Sequence, residues 1–165
     1  MSFLLLTTTT PTHAFTIDKD VCSNTRVFSH SFCSTFLSSN PVVIKSLLHS
    51  LAHSTIHFAF SNATKTGQQI IKWQKQTNNT QLKNAYSICS EPYNKAIAAL
   101  KEAKEQVRFG NYNVSLAAVE AATHFDECEE GFEDILDPSP LASTTHDLGT
   151  ISSIILAVSE ILAKS

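Results

Sequence analysis

The chain has 165 residues and a formal net charge of −3, with 42 % of its residues apolar and 16 % charged. That is enough apolar material for one core, and the charge balance is wrong for a nucleic-acid surface, which needs clustered Lys/Arg with interleaved aromatics. Four glycines and five prolines are few for a collagen-like or turn-rich β chain, and no run reaches the roughly 18–20 apolar residues expected of a membrane span.

In chain order, residues 1–15 open with a short apolar patch, Phe3-Leu4-Leu5-Leu6, and Thr12-His13-Ala14 is a candidate lead-in to a cleavage point. This reads as a short or truncated secretory signal, with a Thr-rich tail as the plain alternative. The domain proper is expected over 16–165. Residues 16–38 read as a short helical hairpin. Asn40-Pro41 puts proline in the first turn of a long helix expected over 41–76, with a loose apolar seam of Leu47, Leu51, Ser54, Phe58, Ile70 and Trp73. Trp73 is the only tryptophan and is read as a packing residue, with an interface anchor as the sharper alternative.

Thr77-Asn78-Asn79-Thr80 separates that helix from a second one, expected over 80–109. Its seam is Leu82, Tyr86, Cys89, Tyr93, Ala96, Leu100, Ala103 and Val107, and Pro92 within it is expected to kink it. Gly110 suits a helix C′ position, and Asn111 or Asn113 is expected to cap a third helix over 112–136, with the seam Ala118, Ala121, Phe125, Cys128, Phe132 and Ile135. Asp137-Pro138-Ser139-Pro140 ends it. Ser143 to Thr145 is expected to cap a last helix over 145–163, whose seam is Leu148, Ile151, Ile155, Val158 and Leu162. The fold class is therefore all-α: a four-helix up-and-down bundle behind an N-terminal helical hairpin.

Four cysteines, Cys22, Cys33, Cys89 and Cys128, allow three pairings. In an antiparallel pair turning at Gly110, Cys89 and Cys128 fall nearly level, with a mismatch of about 5 Å along the axes, and Cys22 and Cys33 can close the hairpin in the same way. By chain entropy, closing the longer loop contributes about 4 kcal/mol and the shorter about 3 kcal/mol. Three Asn-x-Ser/Thr triplets, at Asn62, Asn78 and Asn113, are candidate glycosylation sites, and with the even cysteine count they favour the secretory route.

Little catalytic chemistry is visible. No Gly-x-Ser-x-Gly elbow, phosphate loop, calcium loop or closely spaced Cys pair is present. The acidic series Asp126, Glu127, Glu129, Glu130, Glu133 and Asp134 reads as a solvated helix face rather than as paired acid/base groups. His49, His53 and His57 share one helix face at a spacing that can chelate zinc, but a polar flank is the simpler reading. As unperturbed histidines they are also expected to make stability or binding depend on pH between neutral and mildly acidic conditions. No metal or cofactor is expected.

The hairpin cysteines Cys22 and Cys33, Cys89 followed by Tyr93 and Leu100, Gly110-Asn111-Tyr112, Ala121-Ala122, Cys128 with Phe132, and the Ile154–Ala157 seam together resemble the plant invertase and pectin methylesterase inhibitor family. The run Cys128-Glu129-Glu130-Gly131-Phe132 with Ser139-Pro140-Leu141 resembles a pollen invertase-inhibitor branch of it. The resemblance runs from about Ile17 to Ala163. It implies the bundle, the Cys22–Cys33 and Cys89–Cys128 disulfides, and a non-enzymatic, secreted protein of the apoplast or vacuole that occludes the active-site cleft of a carbohydrate-active enzyme.

In the pectin methylesterase branch the resemblance implies acidic positions at Glu91, Lys95, Ala98 and Glu130, of which two match, and a threonine where this chain has Glu127. In the invertase branch it implies a Pro-Lys-Phe segment, here Thr123-His124-Phe125-Asp126-Glu127, of which only Phe125 matches. The expected partner face is Glu91, Asn94 and Lys95 on the second helix with Thr123, His124, Phe125, Asp126, Glu127 and Glu130 on the third. A glycan at Asn113, roughly 22 Å along the helix from Cys128, is compatible with that face. A monomer is favoured, and the alternatives are a bundle carrying a small apolar ligand and an inactive inhibitor relative.

Overall fold

The computed structural model describes Cys22 and residues 30–39, 48–135 and 140–164. The expected signal segment, most of the hairpin, the Asn40-Pro41 helix start, Leu47 and the Asp137-Pro138-Ser139 stop lie outside the described residues. Five α-helices follow in order: α1 His30–Ser39, α2 Leu48–Gln76, α3 Thr80–Arg108, α4 Ser115–Glu130 and α5 Leu141–Lys164. Helices α2 to α5 form a ring in which each packs on its two neighbours in sequence, with α2 closing on α5, and α1 leans on α5. This is the up-and-down bundle that the periodicity predicts.

Most of the expected seams point inward. Tyr86, Cys89, Tyr93, Ala96, Leu100, Ala103 and Val107 of α3 are buried, as are Ala118, Ala121, Phe125 and Cys128 of α4. The α2 seam is displaced by a residue. Ser54 and Phe58 face outward, and Thr55, Ile56, Ala59, Ala63 and Thr66 fill the interior instead. Small side chains let α2 sit close to its neighbours, and the Thr55 hydroxyl donates to its own helix at Leu51 O, 2.8 Å away. At Gly67 an added Cβ would stand 3.2 Å from Ile97 Cδ1, which marks the close approach of α2 to α3.

The helix ends depart from expectation more than the seams do. Asn79 caps α3 by accepting the N–H groups of Gln81 and Leu82 at 2.9 and 3.2 Å. At the other end Gly110 (φ 78°) donates to Val107 O and Asn111 to Gln106 O, a Schellman motif that relies on the one residue tolerant of positive φ. Pro92 lies inside an unbroken α3. Neither Asn111 nor Asn113 caps α4. The cap residue is Val114, and Asn111 Oδ1 instead accepts the Asn113 N–H in a local turn. Helix α4 stops at Glu130, with i→i+3 bonds carrying the chain through Gly131–Asp134. Helix α5 begins at Leu141, four residues before the expected start, so Ser143 to Thr145 lie within it rather than capping it.

Helix α5 also corrects the membrane expectation, because Leu141–Ala163 is long and apolar enough to cross a bilayer on length and composition. Its burial has another cause. With α2 and α4 on two sides and α1 on a third, residues 148–155 are buried all round. The hydroxyls among them that bond do so within the helix, Ser152 to Leu148 O and Ser153 to Gly149 O. That is the signature of a core helix.

Candidate functional site

Both disulfides are present. Cys22–Cys33 has a Cα–Cα distance of 5.9 Å and Cys89–Cys128 one of 4.5 Å. The second bridge lies in the seam between α3 and α4, helices whose buried faces carry the small side chains Ala96, Ala99 and Ala103 on one and Ala117, Ala118 and Ala121 on the other. Around it Tyr93 stacks edge-on with Phe125, ring centroids 5.3 Å apart. Trp73 is half-buried against Tyr86, which contacts Phe132, so it closes one end of the bundle and is a packing residue.

On the solvent side of this seam, the Lys95 ammonium donates to Glu91 at 2.8 Å, and on α4 His124 Nδ1 lies 2.8 Å from Glu127 Oε2. The Glu91 carboxyl is held below its usual range chiefly by its hydrogen bond and charge interaction with Lys95, with a smaller contribution from His124 across the helix gap. Lys95 is raised by the same bond, and Glu127 adds to it. All four groups are solvent-accessible, so the array sets a charge pattern and contributes little to stability. Thr123 and Asn94 are exposed beside it.

Three of the nine expected contact residues do not join this face. Phe125 is fully buried and supports it from beneath, so the one side chain that matched the invertase-branch segment is not offered to a partner. Asp126 and Glu130 turn the other way and line a groove of about 450 Å³ with Glu129, Glu133 and Ala142 at the α4/α5 seam. There His146 Nδ1 lies 3.0 Å from Glu129 Oε1.

Three apolar residues absent from the expected set are exposed on these two helices. Ile88 is 53 % exposed and touches Gly131, whose added Cβ would be 3.2 Å from Ile88 Cγ2. Leu116 is 73 % and Val119 44 % exposed on α4. Their signal was present in the sequence: each is apolar but falls off the Ala118–Ala121–Phe125 or Tyr86–Cys89–Tyr93 seam, so neither core can bury it.

The three histidines of α2 do not converge. His49 stacks on Tyr112 with centroids 4.1 Å apart, His53 Nε2 lies 3.3 Å from the Tyr112 hydroxyl, and His57 shares with His53 a groove that His49 does not line. Among the described residues no three His, Cys, Asp or Glu side chains are grouped to hold a metal ion. Of the sequons, Asn78 and Asn113 are exposed between helices, whereas Asn62 sits within α2 and its Nδ2 donates to Phe58 O at 2.9 Å.

With two helices stapled side by side and no catalytic constellation on their outer face, the geometry is that of a presenting surface. The family model described as plant invertase/pectin methylesterase inhibitor matches residues 17–158. The chain belongs to that family. Its members inhibit enzymes and are not enzymes themselves, and the same holds for this chain. As a member of the inhibitor family it is 30 % identical over 148 residues to the pectinesterase inhibitor of Actinidia deliciosa, covering 88 % of this chain and 79 % of that protein. It is 29 % identical over 150 residues to pectinesterase inhibitor 2 of Arabidopsis thaliana, covering 87 % of this chain and 83 % of that one. Two crystal structures of Arabidopsis pectin methylesterase inhibitors share the fold. A mutant form superposes with a TM-score of 0.77 at 22 % identity, covering 87 % of this chain and 95 % of that one. A second superposes with a TM-score of 0.67 at 24 % identity, covering 86 % and 92 %.

Proposed function

We propose that this member of the inhibitor family is a secreted inhibitor of pectin methylesterase that covers the mouth of the enzyme's substrate cleft with the outer face of α3 and α4. The observation that carries this reading is the composition of that face. A polar centre of Glu91, Lys95, His124 and Glu127 lies beside the exposed apolar Ile88, with Leu116 exposed farther along α4, over two helices that a disulfide holds together. A preformed surface loses less conformational entropy on docking than a flexible one, and exposed apolar residues beside a charged centre suit a partner of matching pattern. The relatives named pectinesterase inhibitors favour pectin methylesterase as the target, and the burial of Phe125 counts against the invertase alternative.

The carrier alternative finds no support along the bundle axis, where Leu51, Ile56, Tyr93, Leu100 and Phe125 are among the largest fully buried side chains. Secretion accords with the paired cysteines, since disulfides persist in oxidising compartments. The deciding experiment adds the purified chain to pectin methylesterase and, separately, to acid invertase. We expect inhibition of the first only, and we expect Ile88→Asp with Leu116→Asp to abolish it while the circular dichroism and melting temperature stay near wild type. Inhibition of invertase alone, or full activity of the double variant, would overturn the reading.

A further inference from the structure

A second exposed feature lies on the opposite flank of α3, where that helix meets α2. An elongated groove of about 820 Å³ is lined by Lys65, Lys104 and Arg108, with the Phe58 ring and the polar side chains of Ser61 and Asn62. That volume falls within the ~300–1,000 Å³ typical of ligand sites. No carboxylate is among its lining residues. In a chain of net charge −3 this is a local concentration of the minority sign. Among the described residues only the Arg108 guanidinium of these three cations has an anionic neighbour, Glu105 at 3.4 Å, in a pair exposed enough to be weak. The Lys104 ammonium is held 4.8 Å over the Phe60 ring, which positions the charge without neutralising it.

The arrangement of the cations indicates the ligand. Lys104 and Arg108 stand one turn apart on α3, about 6 Å along the axis, and the α2 wall runs from His53 to Lys65, about 18 Å. Charges strung along an open trough match a linear polymer with repeated negative charges better than a single compact anion. The trough also offers a ring face at Phe58 and hydroxyl and amide groups at Ser61 and Asn62, which suit a sugar chain.

We infer that this groove binds a linear polyuronate, a polysaccharide carrying a carboxylate on successive rings. The ligand class rests on the function proposed above. Hydrolysis of a pectin methyl ester consumes water, releases methanol and a proton and leaves a carboxylate on the polymer, so such an inhibitor would work beside a polyanion of this kind. The groove and the α3/α4 face lie on different flanks of α3, and both can be occupied at once. The groove would then hold the inhibitor on de-esterified polymer near its target.

The test measures binding of the purified chain, with no enzyme present, to de-esterified homogalacturonan oligomers by calorimetry at low and moderate salt. Highly methyl-esterified pectin, dextran sulfate and single-stranded RNA serve as comparison polymers. Lys65→Gln with Arg108→Gln removes two exposed charges and leaves the Lys104–Phe60 contact in place. We expect the wild type to prefer the de-esterified oligomers, binding to weaken with salt, and the double variant to bind about tenfold more weakly. The variant should still inhibit pectin methylesterase on a soluble esterified substrate. Absence of binding, equal or tighter binding to dextran sulfate or RNA, or an unchanged affinity in the double variant would each overturn the inference. If the wild type inhibits the enzyme but ignores the polymer, the groove proposal fails and the inhibitor reading stands. Polymer binding through Lys65 and Arg108 without inhibition supports the groove and removes the inhibitor reading.

Discussion

The hydroxyl of Tyr93 lies 2.8 Å from that of Thr145, a buried hydrogen bond between α3 and α5, helices on opposite sides of the ring. The phenol is buried enough to push its ionisation well above the ordinary range, so it is neutral throughout physiological pH. Thr145 Oγ1 is also 3.8 Å from Cys128 Sγ, which brings the bond to the edge of the disulfide. Tyr93→Phe keeps the ring contact with Phe125 and strands the Thr145 hydroxyl. We expect a loss of about 1–3 kcal/mol in denaturant unfolding. Tyr93→Phe with Thr145→Val should cost less than the sum of the single changes, because removing both polar partners leaves nothing unsatisfied.

Ser159 plays a comparable part at the other end of the bundle. Its hydroxyl donates to Tyr112 O at 2.9 Å, accepts the Val114 N–H at 3.1 Å and lies 3.0 Å from Ser115 Oγ. Helix α4 has no side-chain cap of its own, so a residue 45 positions away ties down its first turn. Ser159→Ala should cost about 1 kcal/mol, because it removes the serine's bonds to both groups while the Val114 N–H keeps its 3.0 Å bond to Tyr112 O. Hydrogen exchange at the start of α4 should accelerate more than exchange in α2.

These two contacts mark the limit of what the sequence could disclose. Helix existence, the Gly110 turn and the level placing of Cys89 and Cys128 were all legible, since each depends on local period or on equal distance from a turn. Thr145 and Ser159 were not legible, because a polar residue on an inward face acquires meaning only when a partner distant in sequence reaches it. The helix starts at Leu141 and Ser115 were misjudged too, and at Ser115 the tie comes from Ser159 on α5, not from Asn113. The pairing of Glu91 with Lys95 and of His124 with Glu127 follows α3 and α4 periodicity. Asp126 and Glu130 line the α4/α5 groove because a charged run on one helix spreads around it, and only the neighbouring helices decide which member faces which seam.

Thr150 gives a prediction of opposite sign. Its side chain is fully buried, and among the described residues its hydroxyl has no hydrogen-bond partner. Thr150→Val replaces that hydroxyl by a methyl of similar size, so the folded state no longer bears the desolvation of an unpaired oxygen. A gain of up to about 1 kcal/mol is expected, read as a rise in melting temperature. A loss comparable to that of Ser159→Ala would mean that the hydroxyl is satisfied in solution.

The Cys89–Cys128 bridge links stability to the proposed function. Replacing both residues by Ala opens a loop of 39 residues, for which chain entropy gives a cost of about 4 kcal/mol. Because the bridge lies beneath the α3/α4 face, the variant should lose inhibitory potency even at temperatures where it remains folded. Inhibition assays beside a thermal melt separate the two losses. Retained potency in a folded but destabilised variant would mean that helix packing alone keeps the face in shape.

The acidic groove between α4 and α5 makes stability depend on pH. The Asp126 carboxyl is raised above its usual range first by burial and then by the charges of Glu129 and Glu130, with His146 opposing. Asp147, on α5, is raised mainly by burial. For a carboxyl raised in the folded state the unfolded chain releases its proton more readily, so ionisation at neutral pH disfavours the fold. That penalty is present above the raised value, shrinks as pH falls through it, and is gone below the ordinary aspartate value. Asp126→Asn should therefore be more stable than wild type at pH 7, by less than about 1 kcal/mol because much of the carboxyl remains in solvent. The two melting temperatures should converge as the buffer is taken down through the carboxylate range. A difference that stayed constant with pH would mean that the gain comes from packing and not from the charge.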